Sequence, residues 1–308
     1  MKTVNSYLIK KPAITLIDCG EDTDASYEAL EKGLQESNLQ IIDIERIVIT
    51  HAHVDHIGMA SRLANVSGCE VWVSDVCLPW AIHVEKKWKE RYDAMIRTMR
   101  RMIGEDEISF IAKNYEQLGT LVETLWKSIP EKYIHTFHHE GHIALTHEQW
   151  DVIYAPGHSS TQTCFFNQRT SQLFSADMIL HRTPTPVIEA SPFHDDDRSH
   201  GILELLQSFE RFENIPAKHT YPGHYEPMGE IGDLVRRQVK RIFDRTEECY
   251  SLIAGGTDHF MGLFNHMYRN TWNIPGFNML IGYIDILLEE GRIRVDDDGS
   301  KRRFIALS

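Results

Sequence analysis

Thr50-His51-Ala52-His53-Val54-Asp55-His56-Ile57-Gly58 places three imidazoles and a carboxylate close together, directly after the apolar run Ile47-Val48-Ile49. The apolar run reads as a strand. A strand that ends in such a loop sets several side chains at the edge of a sheet. Imidazole nitrogen and carboxylate oxygen are ligands that suit zinc, and also manganese or iron. The plain alternative is a chance cluster on a polar loop, since the chain has 17 His. Three further pieces downstream argue against chance.

Outward from that loop, the flanking sequence alternates strand and helix. Val4 to Ile9 and Ala13 to Ile17 are strand-like runs around Lys10-Lys11-Pro12, which reads as a hairpin. Asp18-Cys19-Gly20 closes the second strand. Ala25, Ala29, Leu30 and Leu34 recur at helical spacing, Ile44 to Ile49 is the strand that delivers the loop, Met59 to Val66 is a helix, and Glu70 to Val73 a further strand. This order predicts a layered α/β domain.

Between Leu78 and His139 the character changes to Lys, Arg, Glu and Met with helical periodicity, as in Trp80, Val84, Trp88 and then Phe110, Leu118, Leu121 and Leu125. The stretch reads as two or three helices inserted between core strands. Its apolar stripe is either ordinary helix core or the inner face of a cap over the substrate pocket. Strands resume at Trp150 to Tyr154, Thr163 to Asn167 and Gln172 to Ser175. An amphipathic helix follows from Ser199 to Phe212, with Asp197 as its capping residue, and Lys218 to Tyr221 is a last strand. From Gly229 onward come a long helix (Ile231 to Leu252), two more helical pieces ending with Gly276 to Glu290, and a hairpin across Asp296 to Ser300. Helices followed by a charged hairpin resemble a winged helix. The domain reading is 1–229 for a catalytic unit, with 78–139 its inserted cap, and 230–308 for the extension.

Composition narrows the classes. With 308 residues, 42% apolar and 25% charged, the chain is an ordinary globular protein with a sizeable core. A net charge of −13 argues against a surface built to neutralise phosphates. The five scattered cysteines suit reduced thiols in the cytoplasm. No stretch approaches the apolar length of a membrane span and Met1 to Lys11 has no apolar core of a signal peptide, so a cytoplasmic location with no membrane partner is expected.

Three loops complete the constellation. Ala155-Pro156-Gly157-His158-Ser159 and Tyr221-Pro222-Gly223-His224-Tyr225 each supply a His after a strand, and Phe174-Ser175-Ala176-Asp177 places an Asp at a strand end. In this order the motifs resemble those of the metallo-β-lactamase superfamily, over roughly residues 3–76 and 143–228. The resemblance implies a four-layer αββα sandwich with metal at one edge between its sheets. It implies that His51, His53 and His158 hold one cation, that Asp55, His56 and His224 hold a second, and that Asp177 bridges them, with Asp18 supporting the loop from behind. Two such cations can share a hydroxide and polarise a substrate oxygen, with Asp55 placed to orient the hydroxide and move its proton.

Departures within the superfamily refine this. The best-known β-lactamases carry Cys near the position of Asp177, and the flavodiiron oxidoreductases carry Glu where His53 stands. The pattern here is similar to the hydrolase branch of glyoxalase II-like thioesterases and lactonases. Asp177-Met178-Ile179-Leu180 with Thr183-Pro184 is similar to hydrolases that carry a winged-helix tail, although Ala176 replaces their Gly and His181 their Pro. The expected function is hydrolysis of an ester, thioester or lactone in a small-molecule substrate with two divalent cations, zinc first. The second reading is a nuclease or phosphodiesterase that uses the tail, whose 11 Lys and Arg against 12 Asp and Glu leave it close to neutral.

Tyr225 and Tyr221 are candidate phenol donors to a developing oxyanion, against a packing role. His181 is a candidate pocket residue. The group His135, His138, His139, His142 and His147 reads as a solvated or pocket-rim loop, or else as an extra metal site.

Overall fold

The computed structural model describes residues 3–103, 124–188, 200–269, 273–297 and 302–307, together with 108, 122 and 271. The capping role expected of Asp197, the helix positions Phe110, Leu118 and Leu121, and the 298–300 turn lie outside the described residues.

Two five-stranded sheets stack face to face. The first has the order β1-β2-β3-β4-β5, from Tyr7–Ile9, Thr15–Ile17, Arg46–Val48, Glu70–Ser74 and Ile134–Phe137. Only β1 runs antiparallel to its neighbour, so β2 to β5 require crossovers. These carry α1 (Asp24–Gln35), then α2 (Val54–Ile57) with α3 (Ala60–Ser67), then α4 (Leu78–Ile82) with α5 (Val84–Ile103). The second sheet has β6 (Gly141–Ala144), β7 (Gln149–Tyr154), β8 (Thr163–Asn167), β9 (Gln172–Ala176) and β10 (His219–Pro222), in the order β10-β9-β8-β7-β6. Its strands are antiparallel except β10 beside β9, which are joined through α6 (Gly201–Glu213).

Alternation along the strands explains the layering. Ile17, Val48, Trp150, Val152, Phe165 and Phe174 point between the sheets and form one core. Their neighbours Leu16 and Ile47 point outward under α1 and α3, and Cys164, Phe166 and Leu173 outward under α6. A strand in the middle of a sandwich is buried on both faces, and every residue of Thr163 to Asn167 is buried, including the polar Thr163 and Asn167 at its ends. The result is the αββα sandwich expected from the sequence.

The 78–139 stretch is not helical throughout. Ile134 to Phe137 pair in parallel with Val71 to Ser74 as the edge strand of the first sheet. Four residues with one buried position carry almost no periodic signal, and the helical composition upstream masks them. At the other end of the stretch, Trp80 stacks on Trp126 at 5.9 Å in the outer core of the first sheet. Met99 and Met102 at the end of α5 join a different core, that of the C-terminal segment.

That segment consists of α7 (Gly232–Ala254), α8 (Phe260–Tyr268), α9 (Ile274–Glu289) and the hairpin β11 (Ile293–Asp297) with β12 (Arg302–Ala306), the helix and hairpin order expected of a winged helix. Helix α9 is apolar almost all round, the pattern of a buried helix. Its Phe277, Leu280 and Ile284 share one core with Ile202, Leu205 and Phe209 of α6.

Candidate metal centre

The loop after β3 is fastened at several points before it reaches α2. Ile49 N–H donates to Trp72 O at 2.9 Å, and Thr163 donates to Thr50 O through both its N–H (2.9 Å) and its hydroxyl (2.8 Å). Ala52 N–H donates to Thr161 Oγ1 at 2.8 Å. His51 is thereby fixed in the interior, His53 caps α2, and Asp55 and His56 lie in its first turn. His158 enters from the β7–β8 loop, Asp177 from the end of β9 and His224 from the end of β10.

These side chains converge in two groups. His53 Nδ1 lies 3.0 Å from both His51 Nε2 and His158 Nε2. Asp55 Oδ2 lies 3.3 Å from His224 Nε2 and 3.9 Å from His56 Nε2. Asp177 faces both groups: Oδ2 is 3.4 Å from His158 Nε2 and 3.3 Å from His224 Nε2, and Oδ1 is 3.5 Å from His56 Nε2. Ligands held tetrahedrally at zinc–nitrogen bond lengths are separated by about 3.4 Å, so the spacings fit two cation sites.

For His56, His158 and His224 the ring nitrogen that points away from the centre is bonded, which fixes the direction of the other. Asp18 takes the N–H and hydroxyl of Thr50 at 2.9 and 2.8 Å, and its Oδ2 lies 2.8 Å from His56 Nδ1. His158 Nδ1 donates to Pro186 O at 2.8 Å, and His224 Nδ1 to Thr3 O. On the inner side, His56 Nε2, His224 Nε2 and Asp177 Oδ1 are buried with no hydrogen-bond partner. Such atoms are costly unless something charged is bound between them.

Electrostatics support the same point. Burial and the imidazoles of His56 and His53 hold His51 well below the usual histidine range. Burial takes His158 down to about 4. Both therefore present bare nitrogen at neutral pH. Burial also opposes protonation of His56, but the carboxylates of Asp177, Asp55 and Asp18 outweigh it and hold the ring well above its usual range. Against burial, Asp177 and Asp55 raise His224 to about 9. The two carboxylates, despite their own burial, are kept below the usual range by His56 and His224. In the cation-free chain, protons on His56 and His224 thus balance Asp55 and Asp177. Divalent cations would displace those protons, as metal binding to histidine does.

Several backbone positions around the centre are in the left-handed region. Asp18 has φ +58°, Ala176 +43° and Tyr225 +69°, next to or within the ligand set. Strain of this kind collects where surrounding structure holds a site in place. At Ala176 a glycine would adopt the same conformation without a Cβ clash. Ala176→Gly is expected to raise stability by about 0.5–1 kcal/mol, the difference between relieving the Cβ clash and loosening the unfolded chain. The urea midpoint measures it, and a fall would show that the buried methyl contributes more than its strain costs.

The other residues singled out in the sequence fall around this centre. His181 Nε2 lies 3.2 Å from Glu226, with its ring 5.6 Å from that of Tyr225. Arg182 sits over the Tyr225 ring and also pairs with Glu226. His181 and Tyr225 therefore belong to a rim cluster beside His224. Tyr221 lies in the strand core, 5.1 Å from Phe174. In the His-rich stretch, His135 stacks on Trp72, His142 lies 3.0 Å from Asp151, and His138 and His139 face Asp75 at 3.8 and 2.8 Å. Asp75 had no local signal in the sequence. Nor did Thr3 and Pro186, which act through backbone carbonyls that any residue carries.

The fold and the convergent ligands define a class, and the comparisons agree with it. The Metallo-beta-lactamase superfamily profile matches residues 2–224, and the chain belongs to that superfamily. A relative in Bacillus subtilis (strain 168), the probable metallo-hydrolase YqjP, is 26% identical over 256 residues, covering 80% of this chain and 75% of the relative. Among solved structures, the metallo-beta-lactamase family protein TTHA1429 from Thermus thermophilus superposes with a TM-score of 0.78 at 20% identity, covering 99% of this chain and 94% of that one. A beta-lactamase domain protein from Burkholderia ambifaria gives 0.79 at 18% identity, covering 99% and 88%. Both superpositions extend through the C-terminal segment.

Proposed function

We propose that this chain is a metal-dependent hydrolase that holds two divalent cations, zinc first, and cleaves an ester, thioester or lactone bond in a small molecule. The observation that carries the reading is the position of Asp177, whose single carboxylate faces both histidine groups. Bound cations would supply Lewis acidity and lower the pKa of the attacking water. The chain's own residues do the rest. His51, His53 and His158 form one ligand set, Asp55, His56 and His224 the other, and Asp18 keeps His56 Nε2 turned inward. Asp55 is partly open to solvent, with its side chain 38% exposed. As a carboxylate beside the cations it can orient the attacking water and accept its proton.

Support for a small-molecule substrate comes from the tail. Arg292 pairs with Glu247 and Glu290, Arg302 with Asp297, and Arg303 lies 3.9 Å from Asp258. Cations already paired with carboxylates are poor material for a phosphate-binding surface. The superfamily relative named as a probable metallo-hydrolase supports the reaction class.

The test combines metal analysis with a panel of ester, thioester, lactone and phosphodiester substrates. About two cations per chain are expected, with turnover confined to the carboxylic derivatives, lost on dialysis against a chelator and restored by zinc. Full activity in chelated, metal-free protein would end the reading.

A further inference from the structure

Between α1 and the edge strand β1 runs a cleft of about 920 Å³ that begins at the metal centre, where Asp55 and His224 form its head. We infer that this cleft binds a linear, uncharged acyl chain, with the chain's carbonyl end placed at Asp55 and His224; the inference rests on the hydrolase reading above.

The direction of the two walls is set by the backbone. The stretch before β1 starts at the centre, where Thr3 O accepts from His224 Nδ1 and Asn5 N–H donates to Gly223 O. The stretch before α1 starts there too, since Cys19 N–H donates to His56 O and Gly20 O accepts from Met59 N–H. Strand and helix then leave side by side, and α1 gives the cleft a length of about 18 Å at 1.5 Å per residue.

The walls mix leucines (Leu8, Leu16, Leu30 and Leu34) with the hydroxyls of Ser6, Thr23, Ser26 and Ser37, and the leucines offer an acyl chain its contacts. Helix α1 turns Ala29 and Gly33 to the opening, both exposed, while Leu8 and Leu34 lie deeper. A Cβ placed on Gly33 would meet nothing within 4 Å. Glycine inside a helix destabilises it relative to alanine, and here it borders open space. Among the described lining residues no Lys or Arg occurs, and Glu21 joins Asp55 as a second acid. Among the described lining residues an anionic tail would find no lysine or arginine to pair with. At the head, His224 lines the cleft beside Asp55 and is 1% exposed. The cleft therefore connects a trough of leucines and hydroxyls to the metal centre. None of its described lining residues comes from 78–139, and on this reading the first helix and strand contact the acyl chain.

The test uses the zinc-loaded full chain and a series of acetyl, butanoyl, octanoyl and dodecanoyl esters with one leaving group. Full burial of a methylene gives about fourfold, so in this half-open trough kcat/KM should rise about two- to threefold per methylene. A chain ending in a carboxylate should lose that gain. Gly33→Trp, and separately Ala29→Phe, should lower the dodecanoyl-to-acetyl ratio at least tenfold. Dodecanoate binding, followed by calorimetry, should weaken in both variants. A flat chain-length profile, or variants that leave the ratio and the dodecanoate affinity at their wild-type values, would overturn the inference. If no ester, thioester or lactone is turned over, the hydrolase reading fails instead, and dodecanoate binding still decides whether the cleft takes an acyl chain.

Discussion

Asp177→Asn is expected to lower hydrolysis by on the order of 10³-fold and to leave the chain with fewer than two cations, because Lewis-acid stabilisation of several kcal/mol is lost at about 1.4 kcal/mol per tenfold. The substitution keeps the shape of the side chain and removes its charge. Asp177 is buried, and its two oxygens lie 3.3–3.5 Å from His56, His158 and His224, so one change reaches both ligand groups. An amide can still offer one oxygen to one group, but its NH₂ would face the other. Zinc stoichiometry by elemental analysis, read beside kcat/KM, measures the effect. The far-UV spectrum should be unchanged, since the neighbouring backbone is held independently: Met178 N–H donates to Ser175 O and Gly223 N–H to Ala176 O. A variant that keeps two zinc ions and near-wild-type turnover would show that the histidine groups act without a shared carboxylate.

The residues proposed as ligands could be picked out in the sequence because each sits in a short motif directly after an apolar strand. Periodicity placed those strands, and the chemistry of the side chains did the rest. Asp18 was visible only through resemblance, since an Asp after a strand has many uses, and the structure gives it a defined one against Thr50 and His56. What could not be read were contacts with no local pattern. Gln238 of α7 accepts from Thr185 N–H at 2.8 Å and donates to Leu180 O, 53 and 58 positions away in the chain. Asn278 of α9 donates to Val187 O and Ile188 O, 91 and 90 positions away. These two amides hold the segment that runs from Asp177 to Pro186, the carbonyl partner of His158. The tail thus braces the centre's own loop. A polar residue on the buried face of a helix gives no indication of which distant backbone it will serve. The edge strand Ile134–Phe137 escaped for a similar reason, since its partner Val71–Ser74 is far upstream and the strand itself is too short to show a period.

Gly223→Ala should have an effect nearly as large as the loss of a ligand, although the residue contributes no side chain. A Cβ at this position would lie 2.1 Å from Asp177 Oδ1 and 2.8 Å from His56 Cε1, so the methyl would occupy space between two members of the second ligand group. The requirement is one of space, since Gly223 is not among the left-handed residues. Retreat of the backbone is blocked on both sides: Gly223 N–H donates to Ala176 O at 2.8 Å, and Gly223 O accepts from Asn5 N–H at 2.7 Å. Asp177 or His56 must therefore move. Zinc affinity should fall by on the order of 100-fold or more, with overpacking costing a further 1–3 kcal/mol or so of stability. Gly229→Ala is the comparison, because a Cβ there meets only Lys218 O at 3.8 Å, an ordinary contact; it should stay within about 0.5 kcal/mol of wild type. Competitive zinc titration and urea unfolding of the two variants separate the outcomes. Wild-type zinc affinity in Gly223→Ala would mean that Asp177 and His56 have room to yield, and the close assembly of the two ligand groups around Asp177 would no longer follow from the position of β10.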